Sequence, residues 1–266
     1  MTAPGERSIG NSLVAADVDD VAVLDFSAVD PEALGAVPRL LPGLGRSWPA
    51  TGTWTPELLA RRFSNALVRV HTARSSLLAV QRGAGRRAVA DRVVPLARAL
   101  ADMADPPPGC VVALAGQPLA ALGPMATADV PVPVLARHLR EPTAFLWVGP
   151  AGKRVPAHTD GESGLLVQLT GRKRVHLVAP EHGASMAPVP EHRVLSRIAD
   201  LASDDPALQG VPRLVAGLEP GDALWVPAGW WHQVDYVTAA VSVNFWPASY
   251  LGPTGRPTTG ASATAR

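Results

Sequence analysis

The chain has 266 residues, 47% of them hydrophobic, with 24 Lys and Arg against 23 Asp and Glu for a formal net charge of +1. That length supports one large domain with a sizeable core, and the balanced charge gives no electrostatic reason to seek a nucleic-acid backbone or an anionic membrane. A lone cysteine, Cys110, cannot close an internal disulfide; no basic-then-apolar leader opens the sequence, and no apolar run approaches the roughly 20 residues that span a bilayer, so a cytoplasmic protein is expected.

Residues 1–20 are expected to form a flexible arm, residues 21–251 a single domain, and the polar stretch 252–266 a disordered tail. Thr55, Pro56 and Glu57 predict the start of a helix over 54-WTPELLARRF-63: the hydroxyl caps, the proline fits the first turn, and the acid faces the positive helix end. The run 66-ALVRVHT-72 alternates as a strand does. A helix is expected from Ala88 to Met103, kinked or delayed by Pro95 and stopped by Pro106, Pro107 and Pro108.

From about residue 141 the chain becomes a series of short β-type runs: 143-TAFLWVG-149, 164-GLLVQLT-170, 173-KRVHLVA-179, 223-ALWVPA-228 and 238-TAAVSVNFW-246. Gly/Pro turns punctuate them, a texture of barrels and sandwiches. Segment 181–217 breaks the rhythm and predicts a surface insertion with a short helix over 193-RVLSRIADLA-202.

Within 156-PAHTDGESGLLVQLTGRKRVHLVAP-180, His158 and Asp160 are two apart, so in extended backbone they share a face. His232, in 219-EPGDALWVPAGWWHQV-234, follows a strand and a Pro-Ala-Gly turn, which places it near a barrel rim. Two imidazoles and a carboxylate form the set that holds Fe(II) on one face and leaves positions open for oxygen chemistry. A bare H-x-D is more often a solvated pair; His232 in its context is what turns it into a metal-site expectation.

These motifs resemble the JmjC-like (cupin-8) branch of Fe(II)/2-oxoglutarate oxygenases, which includes the asparaginyl hydroxylase acting on hypoxia-inducible factor. The resemblance runs from about residue 37 to 250 through 48-WPATGTWTPELLARRFSNALVRVH-71, 145-FLWVGPAGKRVPAHTD-160, 171-GRKRVHLVAP-180 and 219-EPGDALWVPAGWWHQVDYVTAAVSVNFWP-247. It implies a mainly β fold with α: a double-stranded β-helix, or jelly-roll, barrel core over about 141–251, with an N-terminal α/β part, largely helical, over about 21–140 packed on it. It implies that His158, Asp160 and His232 bind Fe(II), that Lys173 pairs with the distal carboxylate of 2-oxoglutarate, and that Asn244, with Ser242 on the same face, lies beside iron and co-substrate.

The implied activity is hydroxylation of an unactivated C–H with O2, forming succinate and CO2. The expected target is a side-chain β-carbon of a peptide, protein or carrier-bound amino acid, including natural-product peptides. A free small molecule, or a non-catalytic metal-binding scaffold, is the alternative. A monomer or weak homodimer is expected, with no nucleic-acid or membrane partner. The sequence departs from the family where relatives often place a hydrogen-bonding Thr (here Val155) and an Asn (here Gly164), and no Tyr precedes Tyr236. Thr143, Ser163, Gln168 and Ser242 are the candidate substitutes. Trp48 and Trp54 are expected to staple the front part to the barrel, one of Trp230 and Trp231 to line the pocket, and His176, Arg172 and Arg174 to face outward.

Overall fold

The computed structural model describes residues 18–22, 34–74, 89–190 and 192–250. In chain order the elements are β1 (Val18–Asp20), β2 (Arg39–Leu41), α1 (Pro56–Arg62), β3 (Leu67–Arg74), β4 (Val89–Pro95), α2 (Leu96–Ala104), β5 (Cys110–Pro118), α3 (Pro124–Asp129), β6 (Thr143–Gly149), β7 (Arg154–Thr159), β8 (Gly164–Thr170), β9 (Lys173–Val178), β10 (Pro188–Val189), β11 (His192–Ser196), β12 (Arg213–Leu218), β13 (Ala223–Val226), β14 (Trp231–Tyr236) and β15 (Ala240–Trp246).

They build two sheets, β1-β12-β9-β14-β7-β11-β10 and β2-β13-β8-β15-β6-β5-β3-β4. From β6 to β9, and again from β12 to β15, each strand lies in the sheet opposite its predecessor. This is the jelly-roll double-stranded β-helix, and the front part joins it by adding β5, β3 and β4 to one sheet.

Period-two alternation divides each barrel strand between two environments. In β15, Val241, Val243 and Phe245 face the largest core cluster, together with Leu165, Val167 and Leu169 of β8. Helices α1 and α2 supply the other side of that cluster through Leu59, Leu96 and Leu100. Every residue of β8 is therefore buried, on one face by the helices and on the other by the barrel lumen. Trp48 and Trp54 lie in this cluster, as the staple expectation requires. Trp54 Nε1 donates to Asp129 Oδ2 (3.1 Å), whose carboxylate also pairs with Arg62. The cap on α1 forms as expected, Thr55 Oγ1 accepting from Leu58 N.

Four expectations are corrected. Val18–Asp20, the end of the expected arm, is a strand parallel to β12; residues 1–17, like the expected tail 252–266, lie outside the described residues. The helix expected from Ala88 starts late, just past Pro95 as the delayed alternative had it, and residues 89–95 form instead a strand paired with β3 along its length. Proline disfavours helix for the residue before it, and the β-branched Val93 and Val94 suit a ladder. The segment 193–202 holds strand β11 followed by bends, not a helix: Ser196 Oγ accepts from Ile198 N and donates to Met186 O, a local bond set that competes with helix. The insertion is also shorter than expected, because β12 inside it is a barrel strand paired with β9.

Candidate active site

Strands β7, β14 and β9 are neighbours, and their register aligns the polar groups. His232 of β14 stands opposite His158 of β7, and Val234 opposite Val155. Two residues, Pro156 and Ala157, therefore face the single Gln233. This bulge re-aims β7: in strict alternation Val155 would share its face with Ala157, but the extra residue turns His158 inward and leaves Ala157 in an outer cluster with Trp231. Pro156, which has no N–H to lose from the ladder, sits in the bulge.

The ligand atoms of His158, Asp160 and His232 lie within 4.8 Å of one another. The imidazole centroids are 4.2 Å apart, and His232 Nε2 is 3.6 Å from Asp160 Oδ2. Nδ1 of His158 lies 2.8 Å from Pro156 O, and Nδ1 of His232 lies 3.0 Å from Trp230 O. A carbonyl only accepts, so each Nδ1 carries a proton and each Nε2 is the nitrogen turned to the other ligand atoms. Burial pushes the His232 imidazolium pKa down, reinforced by His158, so this ring is held neutral. Two imidazoles and one carboxylate, presented from one side with open pocket on the other, fit a divalent metal bound on one face. The Asp160 backbone is fixed as well, its carbonyl accepting from Gly229 N (2.9 Å).

Lys173 lies further into the same pocket, 3% exposed, with Nζ donating to Ser242 Oγ across the lumen (2.5 Å). Burial, with Lys153 nearby, holds its pKa well below the usual lysine value. Asn244 is half-buried and lines the pocket, and Trp147 and Trp246 make an aromatic wall with ring centroids 6.1 Å apart.

The structure thus brings together His158, Asp160, His232, Lys173, Ser242 and Asn244. Of the four candidate substitutes, only Ser242 touches Lys173. Ser163 Oγ accepts from Ala228 N, and the Gln168 amide donates to the carbonyls of Thr170 and Gly171. Gly164 has a spatial reason: a Cβ there would lie 2.4 Å from Trp246 Nε1, so the indole fills the place of a side chain. The expectation that Trp230 or Trp231 lines the pocket is corrected. Trp230 belongs to a barrel cluster and donates from Nε1 to Ala36 O, and Trp231 packs under the insertion. Arg172 and Arg174 are exposed, and His176 faces away from the pocket, 3.5 Å from Asp235. His182 and His192 do not line the pocket.

Sequence reasoning missed Tyr236, which lines the pocket opposite Lys173 in the β14–β9 register. Counting by twos from His232 through Val234 would have found it.

A family profile described as cupin-like domain matches residues 33–248. Among curated proteins, the chain is 34% identical to lysine-specific demethylase JMJ31 of Arabidopsis thaliana over 108 residues, 38% of this chain and 20% of that protein. It is 37% identical to Jumonji C domain-containing protein 5 of Drosophila melanogaster over 106 residues, 38% of this chain and 26% of that protein. It is 37% identical to HSPB1-associated protein 1 of Rattus norvegicus over 110 residues, 38% of this chain and 23% of that protein. The matched part therefore spans only a fifth to a quarter of each relative's length.

Proposed function

The chain belongs to the cupin-like, JmjC-related domain family, and from that membership and the geometry of its barrel we propose that it is an Fe(II)- and 2-oxoglutarate-dependent oxygenase. Its proposed reaction is hydroxylation of an unactivated C–H, with a side-chain β-carbon of a peptide, protein or carrier-bound amino acid as the preferred target. The observation that carries this reading is the convergence of His158, Asp160 and His232 in one pocket with the buried cation of Lys173.

The residues divide the work. His158 and His232 offer Nε2, and Asp160 a carboxylate oxygen, to the metal; the Nδ1 bonds to Pro156 O and Trp230 O fix ring orientation and tautomer. Lys173, braced by Ser242, is the point charge for the distal carboxylate of the co-substrate. Iron with 2-oxoglutarate and O2 supplies the oxidation, releasing succinate and CO2. Trp147, Trp246, Val155 and Val234 keep the lumen apolar around that chemistry and exclude bulk water. The insertion is placed to act on the substrate: β11 pairs with β7 at His158, setting the hairpin beside the metal ligands, with His192 and Arg193 exposed on it.

The test is a succinate-release screen over peptides, protein extracts and free amino acids with Fe(II) and 2-oxoglutarate, followed by mass spectrometry. The reading predicts succinate coupled to a gain of one oxygen on a peptide or protein. Loss of a methyl group from lysine would instead align the chain with the demethylases named among its relatives, and turnover confined to free small molecules would remove the peptide assignment.

A further inference from the structure

Only two of the chain's 24 Lys and Arg residues are lysines, Lys153 and Lys173. Both are buried, at 8% and 3% exposure, and both meet one aromatic ring. Lys153 Nζ lies 4.4 Å, and Lys173 Nζ 4.3 Å, from the centroid of Tyr236. The backbone enforces this meeting. Tyr236 is the register partner of Lys173, its N–H donates to Lys153 O (2.8 Å), and its carbonyl accepts from Gly152 N (2.8 Å). A chain that meets its other cationic needs with arginine thus reserves its two compact ammonium groups for one buried spot.

This spot is unbalanced as it stands. Among the described residues no carboxylate forms an ion pair with either lysine. A buried ammonium without counter-charge is costly. The Tyr236 hydroxyl, on a side chain 2% exposed, is buried without a hydrogen-bond partner, although Tyr236 lines the pocket. Burial raises its pKa, so the phenol is a donor. Two cations and an unused donor lack the same thing, an anion with acceptor oxygens. Val155, also on the pocket wall, has no donor to offer it.

We propose that the Tyr236 hydroxyl joins the Lys173 ammonium in binding the distal carboxylate of 2-oxoglutarate, and that Lys153, against the same ring, is a positioning residue that adds a second positive charge to that end of the pocket. One carboxylate accepts both hydrogen bonds, one on each oxygen. The consequence is selectivity for a dicarboxylic over a monocarboxylic 2-oxo acid. This inference rests on the oxygenase reading above.

The experiment is isothermal titration of Mn(II)-loaded protein with 2-oxoglutarate and, separately, with pyruvate, which lacks the distal carboxylate. Tyr236→Phe keeps the ring, its packing and both cation contacts and removes only the hydroxyl. It is expected to weaken 2-oxoglutarate binding about tenfold and leave pyruvate unchanged. Lys153→Met is expected to lower the same 2-oxoglutarate-to-pyruvate affinity ratio, which a merely structural role would not move. Thermal unfolding of the metal-free Tyr236→Phe protein, expected at or above the wild-type midpoint, verifies the fold. Undiminished 2-oxoglutarate binding by Tyr236→Phe overturns the proposal, as does equal weakening of both acids. A wild-type protein that binds Mn(II) but neither acid overturns the co-substrate reading itself and this inference with it.

Discussion

The two sheets of the barrel face the same lumen but present it with different chemistry. Strands β7, β14 and β9 of the seven-stranded sheet contribute His158, His232, Lys173 and Tyr236, with Asp160 just past β7. Strands β6, β8 and β15 of the eight-stranded sheet contribute mostly Trp147, Leu166 and Trp246, with Ser242 and Asn244 as the polar exceptions. Behind them the contrast reverses. The eight-stranded sheet backs onto the large apolar core of α1 and α2. The seven-stranded sheet is backed partly by the apolar cluster under the insertion and partly by an ionic network, in which Arg154 pairs with Asp235 (2.5 Å) and Asp200 (2.9 Å), and Gln233 Nε2 donates to both acids. Against its burial, the hydrogen bond from His176, with the Arg154 guanidinium and Gln233, holds the Asp235 carboxyl at about 2. The larger apolar core thus lies behind the eight-stranded sheet, and the buried charged groups gather on the seven-stranded one.

This contrast predicts opposite phenotypes on the two sides, and the largest effect is on the supporting sheet. Phe245, fully buried and edge-on to Trp48 at 6.1 Å, faces the helical core. Phe245→Ala should cost about 3–5 kcal/mol in urea denaturation of the metal-free protein. Asp160→Ala, on the other side, should leave that denaturation midpoint equal or higher. Equal losses at both positions would erase the distinction.

Lys173→Met comes next. Removing a charge-assisted contact should weaken 2-oxoglutarate about a hundredfold by titration, while metal-free stability holds or rises because an uncompensated buried charge is gone. A loss of stability would show that Lys173 is a structural group.

The third effect is read from pH. Burial holds the Lys153 pKa at about 8, below the ordinary 10.5. Between those values the unfolded chain binds more protons than the folded one, so stability rises with pH across that window and is lost again as pH falls to about 8. Lys153 should contribute on the order of 2 kcal/mol of that rise between about pH 8 and 10, and Lys153→Met should remove this share while leaving the part due to Lys173, whose pKa burial also lowers. A profile unchanged by Lys153→Met would place that ammonium in water.

The smallest effect belongs to the outer face of the seven-stranded sheet, where Arg174→Ala, at an exposed site, should stay within about 0.5 kcal/mol in the same denaturation assay. A larger loss would mean that this outer face contributes more than its exposure implies.

What could be seen in the sequence tracks how local the signal was. His158 and Asp160 are two residues apart and His232 follows a strand and a Pro-Ala-Gly turn, so spacing and turn context brought these three forward, whereas Lys173 was named only through the family resemblance. The strands that carry the histidines were harder to see. In β7 the bulge at Pro156 and Ala157 breaks the alternation, and in β14 the residues His232, Gln233 and Asp235 interrupt the apolar pattern. Non-local pairing explains the other misses. Residues 89–95 run into the helical pattern that follows Pro95, and the partner that makes them a strand, β3, lies well before them in the chain. In 193–202, Leu195, Ile198 and Leu201 have helical spacing, yet Ile198 and Leu201 are buried by packing with Trp231 and Val178 in an irregular loop. That loop is pinned where Arg213 donates to Leu201 O and Ser203 O (both 2.9 Å). Tyr236 needed only the period-two count, but its meeting with Lys153 depends on a loop contact that sequence spacing does not express.

The central claim is that the seven-stranded sheet builds an iron and 2-oxoglutarate site. Its most direct test is an anaerobic titration of Fe(II) and 2-oxoglutarate into wild-type and His158→Ala protein, followed by visible absorption. The account predicts a chelate band that grows to saturation in the wild type and is absent in folded His158→Ala. A band of equal strength in both, or iron-loaded wild type that shows none at saturating 2-oxoglutarate, would contradict it.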